Sequence, residues 1–265
     1  MSNNVISLQD VTIGYPARHH CHHVIGSNMQ ATAPKGTMTC IIGRNGTGKS
    51  TLLRSIARLQ NRLGGDILLN GHSIDSYAQD EFARLLSIVL TSRPDAQSMT
   101  VYELVALGRT PYTGFWGRLS DEDRKIVDHA LYMVGMQNMS RRRVCSLSDG
   151  ECQKVMIAKS LAQGTPIILL DEPTAFLDFH GKVELLTLLR RLAHNEGKTI
   201  LLSTHDLEAA LQTADRLWML DKDGIHEGEP KLLVANGDVD RYIGQKGVSV
   251  DKDFRIKISV SDNNY

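Results

Sequence analysis

Between an apolar run and an amphipathic one, the chain carries Gly43-Arg44-Asn45-Gly46-Thr47-Gly48-Lys49-Ser50-Thr51, which satisfies the pattern G-x-x-x-x-G-K-[S/T]. Met38 to Ile42, just before it, reads as a buried strand, and Leu52, Leu53, Ile56 and Leu59, just after it, recur at helical spacing. Gly43, Gly46 and Gly48 can take backbone angles closed to other residues and let an anion approach closely. Their N–H groups and the positive end of the following helix would surround it. The expectation is a nucleotide-phosphate site spanning Gly43 to Thr51. Lys49 would reach the β- and γ-phosphates of ATP, and the Ser50 hydroxyl would ligate Mg²⁺. The bland alternative, a glycine-rich turn before an ordinary helix, is disfavoured by the full consensus in its proper strand–loop–helix context.

Composition narrows the setting. The chain has 265 residues, 42% of them apolar, enough for a sizeable core in one large domain or two small ones. Lys plus Arg (30) equals Asp plus Glu (30), which argues against a broad basic surface and so against nucleic acid as a partner. No apolar run approaches the ~20 residues that span a bilayer. Met1 to Asp10 lacks the charged and apolar regions of a signal peptide, so the expected place is the cytosol or the cytosolic side of a membrane. Cys21, Cys40, Cys145 and Cys152 have no metal-type spacing and are expected as free thiols. The stretch His19-His20-Cys21-His22-His23 is conceivable as a soft-metal site, but neighbouring residues cannot all face one ion, and an exposed hairpin tip is the preferred reading.

Along the chain, residues 5–15 and roughly 24–42 are β-rich, with alternation in Val5, Ser7, Gln9 and Val11. Ile67 to Leu69 and Ile88 to Leu90 read as short strands. From about 94 to 163 the pattern is helical, with a capping box at Thr100/Glu103 and a second helix start at Ser120. Ile167 to Leu170, Thr199 to Ser203 and Leu217 to Leu220 are buried strands, and a helix from about His180 to Asn195 stops at Gly197. Strands alternating with helices around the glycine loop imply an α/β fold with a mostly parallel sheet, an antiparallel β region at the N-terminus and an inserted all-helical stretch. The segment after Ile243 is polar and weakly patterned.

Ile167-Ile168-Leu169-Leu170-Asp171-Glu172 is a buried strand ending in two acids, and it resembles the Walker B element of P-loop ATPases. There Asp171 would hold Mg²⁺ and Glu172 would act as general base toward water. Leu147-Ser148-Asp149-Gly150-Glu151 is formally a capping box. It is also similar to the signature motif of ABC-type ATPases, with Asp149 for the commoner Gly and Glu151 for the commoner Gln. That resemblance implies that Ser148, Gly150 and Glu151, at a helix N-terminus, grip the γ-phosphate bound to a partner subunit. Ala175-Phe176-Leu177-Asp178 looks like the D-loop, with Asp178 meeting the opposite site; His205 in Ser203-Thr204-His205-Asp206 resembles the switch histidine; Tyr15 stands where the family stacks an aromatic on adenine. The likeness covers about residues 5–230. It implies a P-loop NTPase core forming an ABC cassette over 1–243, with the helical subdomain at about 94–163 and a tail at 244–265.

One position departs from the family. Where a Q-loop glutamine follows the strand, this chain has Thr91, whose shorter hydroxyl would make a weaker or water-mediated Mg²⁺ contact. Thr100 to Tyr112 and Gly114 to Ser120 resemble the iron-siderophore, haem and cobalamin importer ATPases. What this implies is an ATP- and Mg²⁺-dependent ATPase, peripheral on the cytoplasmic face of the inner membrane. It would work as a homodimer of cassettes with two polytopic permease subunits, served indirectly by an extracytoplasmic substrate-binding protein. A soluble ABC ATPase of DNA repair or translation is the runner-up, against which stand the neutral charge and the lack of a long coiled-coil insertion. A weakly hydrolysing regulator has only Thr91 and Asp149 in its favour. Thr91→Gln is expected to leave ATP affinity intact and to change turnover by less than about tenfold; a collapse of ATP binding in a titration would show the loop to be misaligned.

Overall fold

The computed structural model describes residues 4–16, 23–92, 94–96, 98–114, 116–221, 224–245 and 247–258. Its elements in chain order begin with β1 (Asn4–Tyr15), β2 (His23–Pro34), β3 (Met38–Ile42), α1 (Lys49–Ile56), β4 (Gly64–Leu69), β5 (His72–Ser73), α2 (Gln79–Leu85) and β6 (Leu86–Val89). There follow α3 (Val101–Ala106), α4 (Asp121–Met133), α5 (Asp149–Gln163), β7 (Ile167–Leu170), α6 (Phe179–Glu196), β8 (Thr199–Thr204), α7 (Leu207–Thr213) and β9 (Arg216–Asp221). The chain then runs through β10 (Gly224–Gly228), α8 (Pro230–Ala235), α9 (Asp238–Ile243), β11 (Val248–Val250) and β12 (Ile256–Ile258).

Every residue of β3 is buried, as a central strand requires. The main sheet runs β10-β9-β3-β8-β7-β6, parallel except for β10. Alternate residues of its strands feed two cores. Cys40, Ile42, Ile168, Leu170, Ile200 and Leu202 face α3 to α7, whereas Ile41, Leu169, Leu201 and Trp218 face α1 and a second, antiparallel sheet ordered β2-β1-β4-β5. The C-terminal ends of β3, β7 and β8 therefore open at one edge, where the glycine loop lies.

Between β6 and β7 stand α3, α4 and α5, each started by a capping box: Thr100 with Glu103, Ser120 with Asp123, Ser148 with Glu151. A buried charge cross-braces them. Arg109, on a 3₁₀ turn after α3, donates from Nε to Asp123 Oδ1 at 2.8 Å and from Nη1 to the Ala162 carbonyl at 2.8 Å, and its guanidinium lies 4.0 Å over the Tyr112 ring. Hydrogen bonds from the Ser120 hydroxyl and then from Arg109 hold the Asp123 carboxyl down at about 2. Where α5 meets the sheet, Ser87 of β6 shares hydrogen bonds with Ser160 (2.6 Å) and Thr165 (2.8 Å), all three buried.

Three expectations shift. The apolar spacing carried the loop helix to Leu59, but α1 stops at Ile56; Arg58 takes φ +58° and Leu59 is exposed, because the chain must turn back toward β4. In β1 the buried phase is Ile6 and Leu8, then Val11 and Ile13, not the Val5/Ser7/Gln9/Val11 alternation. Asp10, at φ +49°, marks the irregularity that resets the register against β2 and β4. The polar tail after Ile243 forms the hairpin β11–β12, pinned by Val250 N–H donating to Asp240 (2.8 Å). His19 to His22 lie outside the described residues. Among the described residues no helix is long and apolar enough to cross a membrane.

Asp123→Ala is expected to cost about 3 kcal/mol at neutral pH, since it strands a buried guanidinium. Because the folded carboxyl titrates below its unfolded value of about 4, the wild-type advantage is full above pH ~4 and fades toward pH ~2. Urea unfolding of both proteins across that range checks the sign.

Candidate functional site

The loop between β3 and α1 is shaped for an anion. A Cβ at Gly43 would fall 2.5 Å from Thr47 Oγ1, and one at Gly48 2.7 Å from Ile25 Cγ2 and 2.9 Å from Ile13 Cδ1. Gly46 and Gly48 sit at φ +83° and +98°, which other residues reach only with strain. Thr47 closes the turn, donating from N–H (3.3 Å) and hydroxyl (2.9 Å) to the Arg44 carbonyl. Arg44, Asn45 and Gly46 are exposed, so the loop is reachable from solvent. The loop, with Tyr15, Ile25, Thr51 and Glu172, lines a cleft of about 270 Å³. A larger cavity of about 770 Å³ lies between α4, α5 and α6, lined by Tyr132, Ile157 and Leu188 among others, but no residue of the glycine loop lines it.

Lys49 is only 6% exposed. Its ammonium donates to the Gly43 carbonyl at 2.9 Å and lies 3.4 Å from Glu172 Oε1. Ser50 donates to Asp171 Oδ1 at 2.8 Å, and the buried Ser203 hydroxyl donates to the same oxygen at 2.8 Å. The other Glu172 oxygen, Oε2, is 2.6 Å from His205 Nδ1. A lysine, two hydroxyls and two carboxylates thus meet at the mouth of the glycine loop, although they come from α1 and the ends of β7 and β8. These residues fit a magnesium nucleotide: the tight glycine cradle admits phosphate oxygens, and Ser50 beside Asp171 is a hard-oxygen pair suited to Mg²⁺.

One element of local strain belongs to this arrangement. Glu172 has φ +48°, unusual for a side chain-bearing residue and doubly so before Pro173, since a residue preceding proline favours extended backbone. That conformation costs on the order of 1 kcal/mol. Thr91, at the end of β6, does not line the cleft; its hydroxyl donates to the Asp171 carbonyl at 2.8 Å. Tyr15, 46% exposed, places its hydroxyl 3.5 Å from Thr51 Oγ1 at the cleft rim.

The remaining candidates form a second cluster. Ser148 is an exposed N-cap whose N–H donates to Glu151 (2.8 Å) and whose hydroxyl accepts from Glu151 N–H (3.2 Å). Asp178 caps α6, accepting from Gly181 N–H at 2.8 Å. Gly150 bridges the two: a Cβ there would lie 2.9 Å from Leu177 Cδ2. Ser148, Gly150, Glu151 and Asp178 are not among the residues lining the cleft. Ser203 was not among the expected site residues. Its only signal was a hydroxyl two positions before His205 in a strand end, indistinguishable in sequence from a buried packing serine.

Residues 27–175 match the family model described as ABC transporter. The chain is 38% identical to the iron(3+)-hydroxamate import ATP-binding protein FhuC of Bacillus subtilis, over 95% of this chain and 92% of that protein. It is 42% identical to the achromobactin transport ATP-binding protein CbrD of Dickeya dadantii, over 80% of this chain and 77% of that one. A bacterial ABC transporter cassette solved as a dimer superposes with a TM-score of 0.76 at 27% identity, covering 85% of this chain and 98% of its own. With the glycine loop, the paired acids and the second cluster each in place on this fold, the chain belongs to the ABC transporter family, as one of its ATP-hydrolysing cassettes.

Proposed function

We propose that the chain is the nucleotide-binding subunit of an importer for iron chelates of the siderophore type. The observation that carries this is the 38% identity to a ferric-hydroxamate import subunit, sustained across 95% of the chain and so including the helical insertion. The second relative, named for achromobactin transport, points to the same class of cargo. Haem and cobalamin are the neighbouring cargoes of the same reading. The cargo itself would be selected by two membrane permease subunits and by an extracytoplasmic binding protein, with the cassette peripheral on the cytoplasmic face of the inner membrane.

The separation of the site into two clusters supports head-to-tail pairing of two copies, and a related cassette was solved as a dimer. In such a pair the exposed Ser148 and the half-buried Gly150 of one copy would close over the nucleotide held by Lys49 and Ser50 of the other. When bound at Ser50 and Asp171, with any further contact from Thr91, magnesium would neutralise phosphate charge and orient the transferred group. Lys49 now spends its charge on Glu172 and on the Gly43 carbonyl, and a γ-phosphate would draw it away. That frees one oxygen of Glu172 to accept a proton from water, while His205 keeps the other in place. Tyr15 at the rim offers a ring face for adenine.

Glu172→Gln is expected to cut turnover by ~10² or more while retaining ATP binding, and to accumulate an ATP-bound dimer. Phosphate release and size-exclusion chromatography with ATP check both halves, and near-normal hydrolysis would remove Glu172 as the base. The importer reading is tested by purifying the tagged chain from its native membranes in mild detergent. A polytopic permease in equal amount is expected; recovery without one, or with ribosomes or DNA, would overturn it.

A further inference from the structure

The peptide joining Asp171 to Glu172 is held at both of its polar atoms by side chains. Its carbonyl accepts from Thr91 Oγ1 at 2.8 Å, and its N–H donates to Ser203 Oγ at 2.9 Å. The Ser203 hydroxyl in turn donates a hydrogen bond to Asp171 Oδ1 at 2.8 Å. On either side of this peptide the backbone is also tied. Asp171 N–H donates to the Val89 carbonyl of β6 at 2.8 Å, and the Glu172 carbonyl accepts from Ala175 N–H at 3.1 Å. A peptide plane with its N–H and C=O both engaged cannot rotate without breaking two hydrogen bonds in a largely buried setting.

The strain of Glu172 lies at the next bond. Its φ of +48° sets the direction of the side chain, and nothing local to Glu172-Pro173 favours that value. Strained backbone persists where its surroundings over-determine it. Here the surroundings are two hydroxyls, one from each strand flanking β7: Thr91 beyond β6 and Ser203 in β8. A hydroxyl has one proton to give, and Thr91 gives it to the Asp171 carbonyl.

The geometry points to Thr91 as a positioning residue: with Ser203 it clamps the Asp171–Glu172 peptide in the orientation that presents the Glu172 carboxylate between Lys49 and His205. The role differs in kind from a Mg²⁺ contact, because Thr91 acts through the backbone of the acid pair. It rests on the reading of Glu172 as the base, and the experiment keeps the two apart.

The test is steady-state ATP hydrolysis by the purified full-length chain, titrated separately with MgATP and with free Mg²⁺, for wild type, Thr91→Val, Thr91→Ser and Glu172→Gln. Valine keeps the shape and removes the proton donor. The expected result is a kcat about tenfold lower in T91V, with the KM for ATP and the half-saturating Mg²⁺ within about twofold of wild type, and recovery to within about twofold in T91S. A T91V enzyme with wild-type kcat overturns the clamp. So does a T91S enzyme no better than T91V, which would assign the effect to packing. A roughly tenfold rise in the Mg²⁺ requirement of T91V would make Thr91 a metal ligand instead. Should T91V fail to fold, Ser203→Ala removes the other half of the clamp and carries the same expectation for kcat. Normal turnover in E172Q removes the base and the clamp with it, whereas collapse of E172Q beside an unaffected T91V removes the clamp alone.

Discussion

A single carboxylate oxygen organises the nucleotide end of this molecule. Asp171 Oδ1 accepts from Ser50 at the start of α1 and from Ser203 in β8, while its own strand, β7, lies between β6 and β8. Hydrogen bonds to an ionised acceptor are stronger than neutral ones and more directional than packing. The glycine loop and two strand ends are thereby registered to one point, and the positions of Lys49, Glu172 and His205 follow from it. The burial of Asp171, at 2% exposure, makes the arrangement exacting: a missing donor would leave a charge in a poorly hydrated place.

The same reasoning explains which parts of the fold were legible in the sequence. Strands β3, β7 and β8 are buried at every residue and predominantly apolar because both faces are covered, and such runs announce themselves. The glycine loop is legible because its chemistry admits few residue types. The helix starts at Thr100, Ser120 and Ser148 are legible because capping is local. What the pattern missed is decided at a distance. Leu59 carries helical spacing but sits beyond a turn imposed by the return to β4, and Asp10 breaks the alternation of β1 where its two neighbours, β2 and β4, need different registers. The hairpin at 248–258 escaped notice because its strands are only three residues long and its anchor, Asp240, lies in another element.

In the site, the sequence motifs named the residues but not their partners. Lys49 and Glu172 are read from separate motifs, and only the fold shows them 3.4 Å apart. Thr91 is read as a substitution at a ligand position, and only the fold shows its proton committed to a main-chain carbonyl. Gly150 and Leu177, read as two independent motifs, prove to be in close contact. A change at the start of α5 is therefore felt by the loop that begins α6 in the same subunit.

The junction between the helical insertion and the sheet has a property of its own. Ser87, Ser160 and Thr165 meet there in a buried chain of hydroxyls, whereas the interior of the insertion is braced by the Arg109–Asp123 pair. Interlocked methyl groups resist small rotations, because any displacement opens a void or a clash. Around these hydroxyls the root is apolar, with Val155, Ala158 and Ala162 of α5 packed in one core with Val89, Ile168 and Leu170 of the sheet, so the three hydroxyls fix the direction of a contact that packing alone would leave less specific.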